Sequence, residues 1–189
     1  MAHLMFYERP IALNRERHQG LRLEVRPDHF RFAARTNAVP IASTEFVDVA
    51  RDYPIVFVGL DGGPFNVAAL VGLRDGENLM VDAAGVWEPG TYVPAFARRY
   101  PFVLARTDDS ERLTVCIDEV YPGLGGERGD PLFEADGRES AYLQRVLTFL
   151  QAFHAESQLT TEFASRLKQL GLLVPSRLVG RWLGMAALR

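Results

Sequence analysis

The chain has 189 residues, with 21 Lys+Arg against 24 Asp+Glu, a net charge of −3, and 48% hydrophobic content. That length suits one domain, on a scale of roughly 150 residues per domain, with enough chain to bury a real core, and the charge balance excludes a general nucleic-acid binder. A single cysteine excludes an intramolecular disulfide and a cysteine-cluster metal site.

The first ten residues, MAHLMFYERP, carry no secretory pattern, because Glu8 and Arg9 interrupt the short apolar stretch Leu4–Tyr7. No window reaches the roughly 18 apolar residues of a membrane span. Leu178–Leu188 comes nearest and contains Arg181. The default expectation is a soluble, cytoplasmic protein, with export through a C-terminal signal left open. Twenty of the basic residues are arginine and one, Lys168, is lysine. Almost every cation is therefore a planar fork suited to carboxylate or phosphate, although compositional bias explains the excess more simply.

In chain order, Leu21–Val25 alternates apolar and charged residues as a half-buried strand does. Phe30, Phe32 and Ala34 continue the alternation beyond Pro27-Asp28 and predict a hairpin. Ser43 is placed to cap a helix running to about Arg51, with Glu45 in its first turn. Ile55–Leu60 and Phe65–Leu73, joined by Asp61-Gly62-Gly63-Pro64, read as paired central strands, and Asn78–Asp82 as a third. Residues 83–94 read as an irregular loop and Pro94–Arg99 as one or two helical turns. Phe102–Arg106 and Leu113–Ile117 predict a hairpin about Thr107-Asp108-Asp109-Ser110, followed by a loop at Gly123–Asp130. From Glu139 the period becomes helical: Leu143, Val146, Leu147, Leu150 and Phe153 share one face. Thr160 or Thr161 is read as the cap of a second helix carrying Phe163, Leu167 and Leu170, which Gly171 ends. The expected fold is α+β: one antiparallel sheet of about five or more strands, with C-terminal amphipathic helices packed on it.

Candidate chemistry is sparse. Gly123–Gly129, GLGGERG, resembles a phosphate loop, but it leads into Asp130-Pro131 and no Gly-Lys-Ser/Thr follows, so a surface loop is favoured. His3, His18, His29 and His154 lack metal-ligand spacing, so no metal site is expected. Cys116 reads as a small core residue. Asp118 and Glu119 sit on opposite strand faces, which favours ion pairing with arginine over a facing acid pair. The densest aromatic and basic segment is Tyr92–Phe102. It nominates Trp87, Tyr92, Arg98, Arg99 and Tyr100 as a site for an anionic ligand, against the simpler alternative that an arginine pairs with Asp52, Asp82, Asp118 or Glu119. No catalytic constellation and no cofactor motif emerges, so binding is favoured over catalysis.

Several ordered motifs carry a resemblance. Asn37-Ala38-Val39-Pro40, Thr44-Glu45-Phe46, Arg51-Asp52-Tyr53-Pro54-Ile55-Val56-Phe57, Gly85-Val86-Trp87, Tyr92-Val93-Pro94-Ala95-Phe96 and Arg98-Arg99-Tyr100-Pro101-Phe102 are among them, as are Ile117-Asp118-Glu119 and Thr161-Glu162-Phe163. Together they resemble the SapC family of bacterial proteins over about residues 5–174. The resemblance implies an accessory role at the bacterial cell surface. The family takes its name from surface-layer proteins associated with serum resistance, and relatives often occur beside halogenase-like proteins and outer-membrane receptors. It supplies no catalytic residue. A protein or peptide partner, or a homo-oligomer, is compatible with it. The expected organisation is one domain over residues 1–174 and a divergent or truncated tail over 175–189, which would leave the apolar face around Leu167, Leu170 and Leu172 bare.

Overall fold

The computed structural model describes residues 4–59, 65–107, 110–176 and 185–188. His3, the turn at Asp61-Gly62-Gly63-Pro64 and most of the tail lie outside the described residues, as do Asp108 and Asp109. The elements are β1 (Pro10–Ala12), α1 (Arg15–His18), β2 (Arg22–Leu23), β3 (Ala38–Pro40), α2 (Phe46–Asp52), β4 (Ile55–Val58) and β5 (Asn66–Leu70). After them come α3 (Ala95–Arg98), β6 (Phe102–Thr107), β7 (Ser110–Asp118), β8 (Asp130–Pro131), α4 (Ala141–Gln169), β9 (Leu173–Ser176) and β10 (Met185–Leu188).

The α+β class holds, with antiparallel pairing throughout, but the single sheet does not form. The strands before Val120 divide among three sheets. The hairpin β4–β5 takes β3 on its β5 side, and the C-terminal β10 and β9 add to its β4 edge. The hairpin β6–β7 takes β1 on its far side, with Ile11 opposite Ile117, and β2 pairs with β8 while its Leu23 also bridges Leu124. The buried side chains separate accordingly into two main clusters. One surrounds Val39, Phe57, Ala69 and Trp87, and the other surrounds Phe102, Ile117, Leu132 and Leu143.

Three local readings are corrected. Phe30 and Phe32 lie in a 3-10 helix, His29–Ala33, not in a strand. Asn78–Asp82 forms no strand, because Asn78 turns its amide side chain onto the backbone: it donates to the Ala33 carbonyl at 3.0 Å and accepts from the Met80 N–H at 2.9 Å. Ser43 is not the helix cap. A 3-10 turn, Ser43–Glu45, precedes α2, and the Ser43 N–H donates to Thr160 Oγ1.

The two C-terminal helices are one 29-residue helix, α4, capped by Ser140, whose hydroxyl accepts from the Leu143 N–H. Leu143, Leu150 and Phe153 are buried on the expected face. The helix ends where Gly171 turns left-handed at φ +67° and the Leu172 N–H reaches back to the Leu167 carbonyl. Leu167 packs against the first cluster, whereas Leu170 and Leu172 stay exposed. Because α4 packs on β5, β6 and β8, it bridges the seam between the two sheets.

Candidate functional site

A cleft of about 520 Å³ opens at that seam. Its walls come from β3 and β5 (Pro40, Val67), from the end of α3 (Phe96, Arg99) and from α4 (Leu150, Phe153). The helical repeat sets the last wall: Leu150, His154, Ser157 and Thr161 recur at i, i+4, i+7 and i+11, so one stripe of α4 changes from apolar to polar along the cleft.

Arg99 is the cation of the cleft. Its guanidinium lies 3.9 Å from the centroid of the Phe96 ring, 5.4 Å from that of Phe153 and 5.9 Å from that of Tyr7. Its Nε is buried without a hydrogen-bond partner. Burial lowers its pKa, and a hydrogen bond with Tyr7 opposes the shift. An arginine nevertheless keeps its charge at neutral pH. The four ion pairs among the described residues join Arg9 and Arg17 to Glu119, Arg26 to Asp28 and Arg138 to Asp136, and Arg99 is in none of them.

The start of α3 is placed by one buried carboxylate. Glu45 accepts from the N–H of Ala95 at 2.7 Å, from the N–H of Ala42 at 2.8 Å and from the Tyr92 hydroxyl at 2.9 Å. Asp52 accepts from the Tyr92 N–H at 2.7 Å. Segment 92–95 is thus tied to the 3-10 turn before α2 and to the end of that helix, which fixes where Arg99 enters the cleft.

The five residues nominated from sequence do not share one cavity. Trp87 is buried, donating from Nε1 to the Tyr53 hydroxyl at 3.0 Å and meeting Phe30 edge-on. Arg98 is exposed, donating to the Tyr92 hydroxyl and to the Val93 carbonyl. Desolvation, helped by Glu45, raises the Tyr92 pKa. Arg99 alone faces the cleft beneath α4. Tyr100 faces a second pocket of about 410 Å³, shared with His29, Phe32 and Tyr121 and rimmed by Arg26 and Arg31. There its ring stacks on Phe32 at 4.0 Å and its hydroxyl donates to Asp118. Burial next to Asp118 raises the Tyr100 pKa strongly.

Among the described residues neither Arg98 nor Arg99 makes the expected pair with an acid. Asp82 accepts from the Val86 N–H, and Asp118, fully buried, accepts from the N–H groups of Glu8 and Arg9. Glu119 does take the ion pairs expected of it, from Arg9 and Arg17. Cys116 is buried, and desolvation raises its thiol pKa, as suits a core residue. Among the described residues no group of three or more His, Cys, Asp or Glu is arranged to hold a metal ion, and no helix is long and apolar enough to cross a membrane.

The Gly123–Gly129 loop serves backbone packing. A Cβ on Gly129 would lie 2.2 Å from the Leu23 carbonyl oxygen, and one on Gly123 2.1 Å from that of Glu24. Sequence reading missed the contribution of Leu150, Phe153, His154 and Ser157. The signal for it is the change from apolar to polar along one helical stripe.

No curated protein and no solved structure matches the chain. One family model, described as SapC, matches residues 13–181, from α1 to beyond β9, and so includes α4 and every strand except β1 and β10. With that match over most of its length, the chain belongs to the SapC family.

Proposed function

We propose that this chain acts by binding, as an accessory to bacterial cell-surface or outer-membrane uptake functions, and that it takes a small ligand into the cleft beside α4. The cleft carries the reading. Its volume of about 520 Å³ falls within the roughly 300–1,000 Å³ of small-molecule sites, and its lining is mainly apolar with a few polar groups, as such sites are.

The hydroxyls at the cleft favour binding over catalysis. A nucleophilic serine needs its hydroxyl hydrogen-bonded to a base. Ser157 instead donates to the Phe153 carbonyl at 2.7 Å, and Thr160 donates to the Glu156 carbonyl at 2.7 Å. The tie to the cell surface and to uptake rests on the family. A site built jointly from Trp87, Tyr92, Arg98 and Arg99 has less support, since only Arg99 lines the cleft.

A thermal-shift screen of small anions, short peptides and sugars tests the reading, because a ligand that binds only the folded state raises its apparent stability. The plugged variant Ser157→Phe serves as comparison. A ligand that stabilises wild type and not the plugged variant is the expected result. Equal stabilisation of both would place binding elsewhere.

A further inference from the structure

Resting on that binding reading, we infer that the cleft takes an amphiphile with a single carboxylate, its head on Arg99 and its hydrocarbon body along Val67, Leu150 and Phe153. Two independent observations carry this. The first is charge. Arg99 brings a full positive charge to an apolar cleft, and no carboxylate of the described residues lies within ion-pair distance of it. The rings of Phe96, Phe153 and Tyr7 offset part of the cost through their faces. A ring face attracts a cation but accepts no in-plane N–H bond, and Arg99 Nε remains without an acceptor.

The second observation is shape and polarity. The cavity that Arg99 lines also has aliphatic and aromatic walls, Val67, Leu104, Leu150 and Phe153 among them, which reward a hydrocarbon body, while its polar groups lie on the α4 stripe from His154 to Thr161 and at Asn66. Among the described residues Arg99 is the one arginine of the lining, and His154 but neither lysine nor acid accompanies it. A monoanion balances it, whereas a phosphate dianion calls for a second cation. A carboxylate accepts N–H bonds in the plane of a guanidinium, a partner that ring faces do not supply.

The probes are dodecanoate, dodecanol and dodecyltrimethylammonium, below their micellar concentrations, titrated calorimetrically into the full chain. Wild type is expected to bind dodecanoate at least about tenfold more tightly than dodecanol, as one charge-assisted hydrogen bond predicts, and to bind the trimethylammonium probe weakest. Arg99→Met is expected to bring the dodecanoate-to-dodecanol ratio to about one while dodecanol binding persists. Arg98→Gln, outside the cleft, should leave the ratio unchanged. A second readout separates ligand binding from a structural role: without ligand, Arg99→Met should melt no lower than wild type, because the guanidinium has no acid partner to lose and a methionine can pack against the same three rings.

Equal binding of dodecanoate and dodecanol by wild type overturns the carboxylate inference and leaves the cleft reading standing. Binding of none of the three overturns the inference, while the broader cleft reading still answers to its own screen. A preference for dodecanoate that survives Arg99→Met, or that persists in Ser157→Phe, also overturns the inference. Should Arg99→Met fail to fold, the ratio in wild type set against Ser157→Phe decides the matter.

Discussion

Glu45→Ala removes one buried carboxylate that three groups share. The N–H groups of Ala42 and Ala95 both lose their acceptor in a buried setting, and the Tyr92 hydroxyl loses its acceptor in a partly buried one. Each stranded amide costs about 1–3 kcal/mol, and the hydroxyl, which water can reach, costs less. The expected loss is about 4 kcal/mol. For a chain of this length that lowers Tm by about 8–16 °C, at about 2–4 °C per kcal/mol. Glu45→Gln keeps one acceptor oxygen but sets an NH2 group against an amide N–H, so about half the loss is expected. Urea unfolding followed by circular dichroism measures the change, and amide exchange at Ala42 and Ala95 localises it. Thr44→Ala is the control. It removes an exposed hydrogen bond to Glu156 and should stay within about 0.5 kcal/mol of wild type. If Glu45→Ala unfolds within about 1 kcal/mol of wild type, the three bonds do not hold segment 92–95, and the account of how Arg99 is placed fails with them.

The remaining expectations concern the other end of the molecule. Asp118→Ala should cost about 2–4 kcal/mol, by stranding the N–H groups of Glu8 and Arg9, and should expose residues before β1 to limited proteolysis; unchanged cleavage refutes it. Gly129→Ala forces a Cβ to 2.2 Å from the Leu23 oxygen at φ +94° and should cost about 2–3 kcal/mol or more. Gly126→Ala, with nothing within 4 Å, should be neutral or slightly stabilising; equal effects in the same denaturation assay would count against the close approach. His29 has both ring nitrogens buried without partners. Desolvation lowers its pKa from 6.5, against a smaller opposing effect of Asp28. Its folded pKa lies below the unfolded value, so the unfolded chain takes up the proton first. The contribution of His29 to stability is therefore full above pH 6.5 and is lost as pH falls from there through the folded pKa. His29→Phe should flatten the acid limb of a Tm-against-pH curve below that point, and an unchanged limb would refute the sign.

The first half of α4 was legible because five apolar residues recur with helical spacing and nothing competes with that reading. Its second half reads as a separate helix because Thr160 and Thr161 look like caps, and Ser157 lies just before them. Each instead returns its hydroxyl to the carbonyl four residues earlier, a bond that lets such residues sit inside a helix. Phe30 and Phe32 alternate as strand residues do, but so short a run also suits a 3-10 turn. Tertiary packing decided between them, placing Phe32 against Phe6 and Tyr100. The separation of the two sheets was not legible, since no local pattern says which strand finds which partner across 31 residues of intervening chain between β5 and β6. At the site, the sequence marked the cations and rings of 92–102 but not their directions. About 100° of turn per helical residue sends Arg98 to solvent and Arg99 into the seam, and the far wall comes from a helix some fifty positions later.

Two departures from ordinary packing coincide at that seam. A protein interior is filled to the density of an organic crystal, so an apolar space large enough for a ligand is seldom left open by folding alone. Here small side chains, Ala38, Ala68 and Ser157, line the space, and larger apolar ones would fill it. A charge drawn out of water is ordinarily paired, and the half-buried Arg99 has ring faces in place of an acid. Either departure alone would be a modest loss of stability. Both in the lining of the same cavity describe a surface complementary to something partly apolar and partly negative. The well-filled clusters on either side of the seam, around Phe57 and around Ile117, supply the stability that keeps such a surface from collapsing. Filling the space with Ser157→Phe and neutralising the charge with Arg99→Met should therefore each leave the fold intact and each abolish a different part of recognition: the first binding altogether, the second only the preference for an anion.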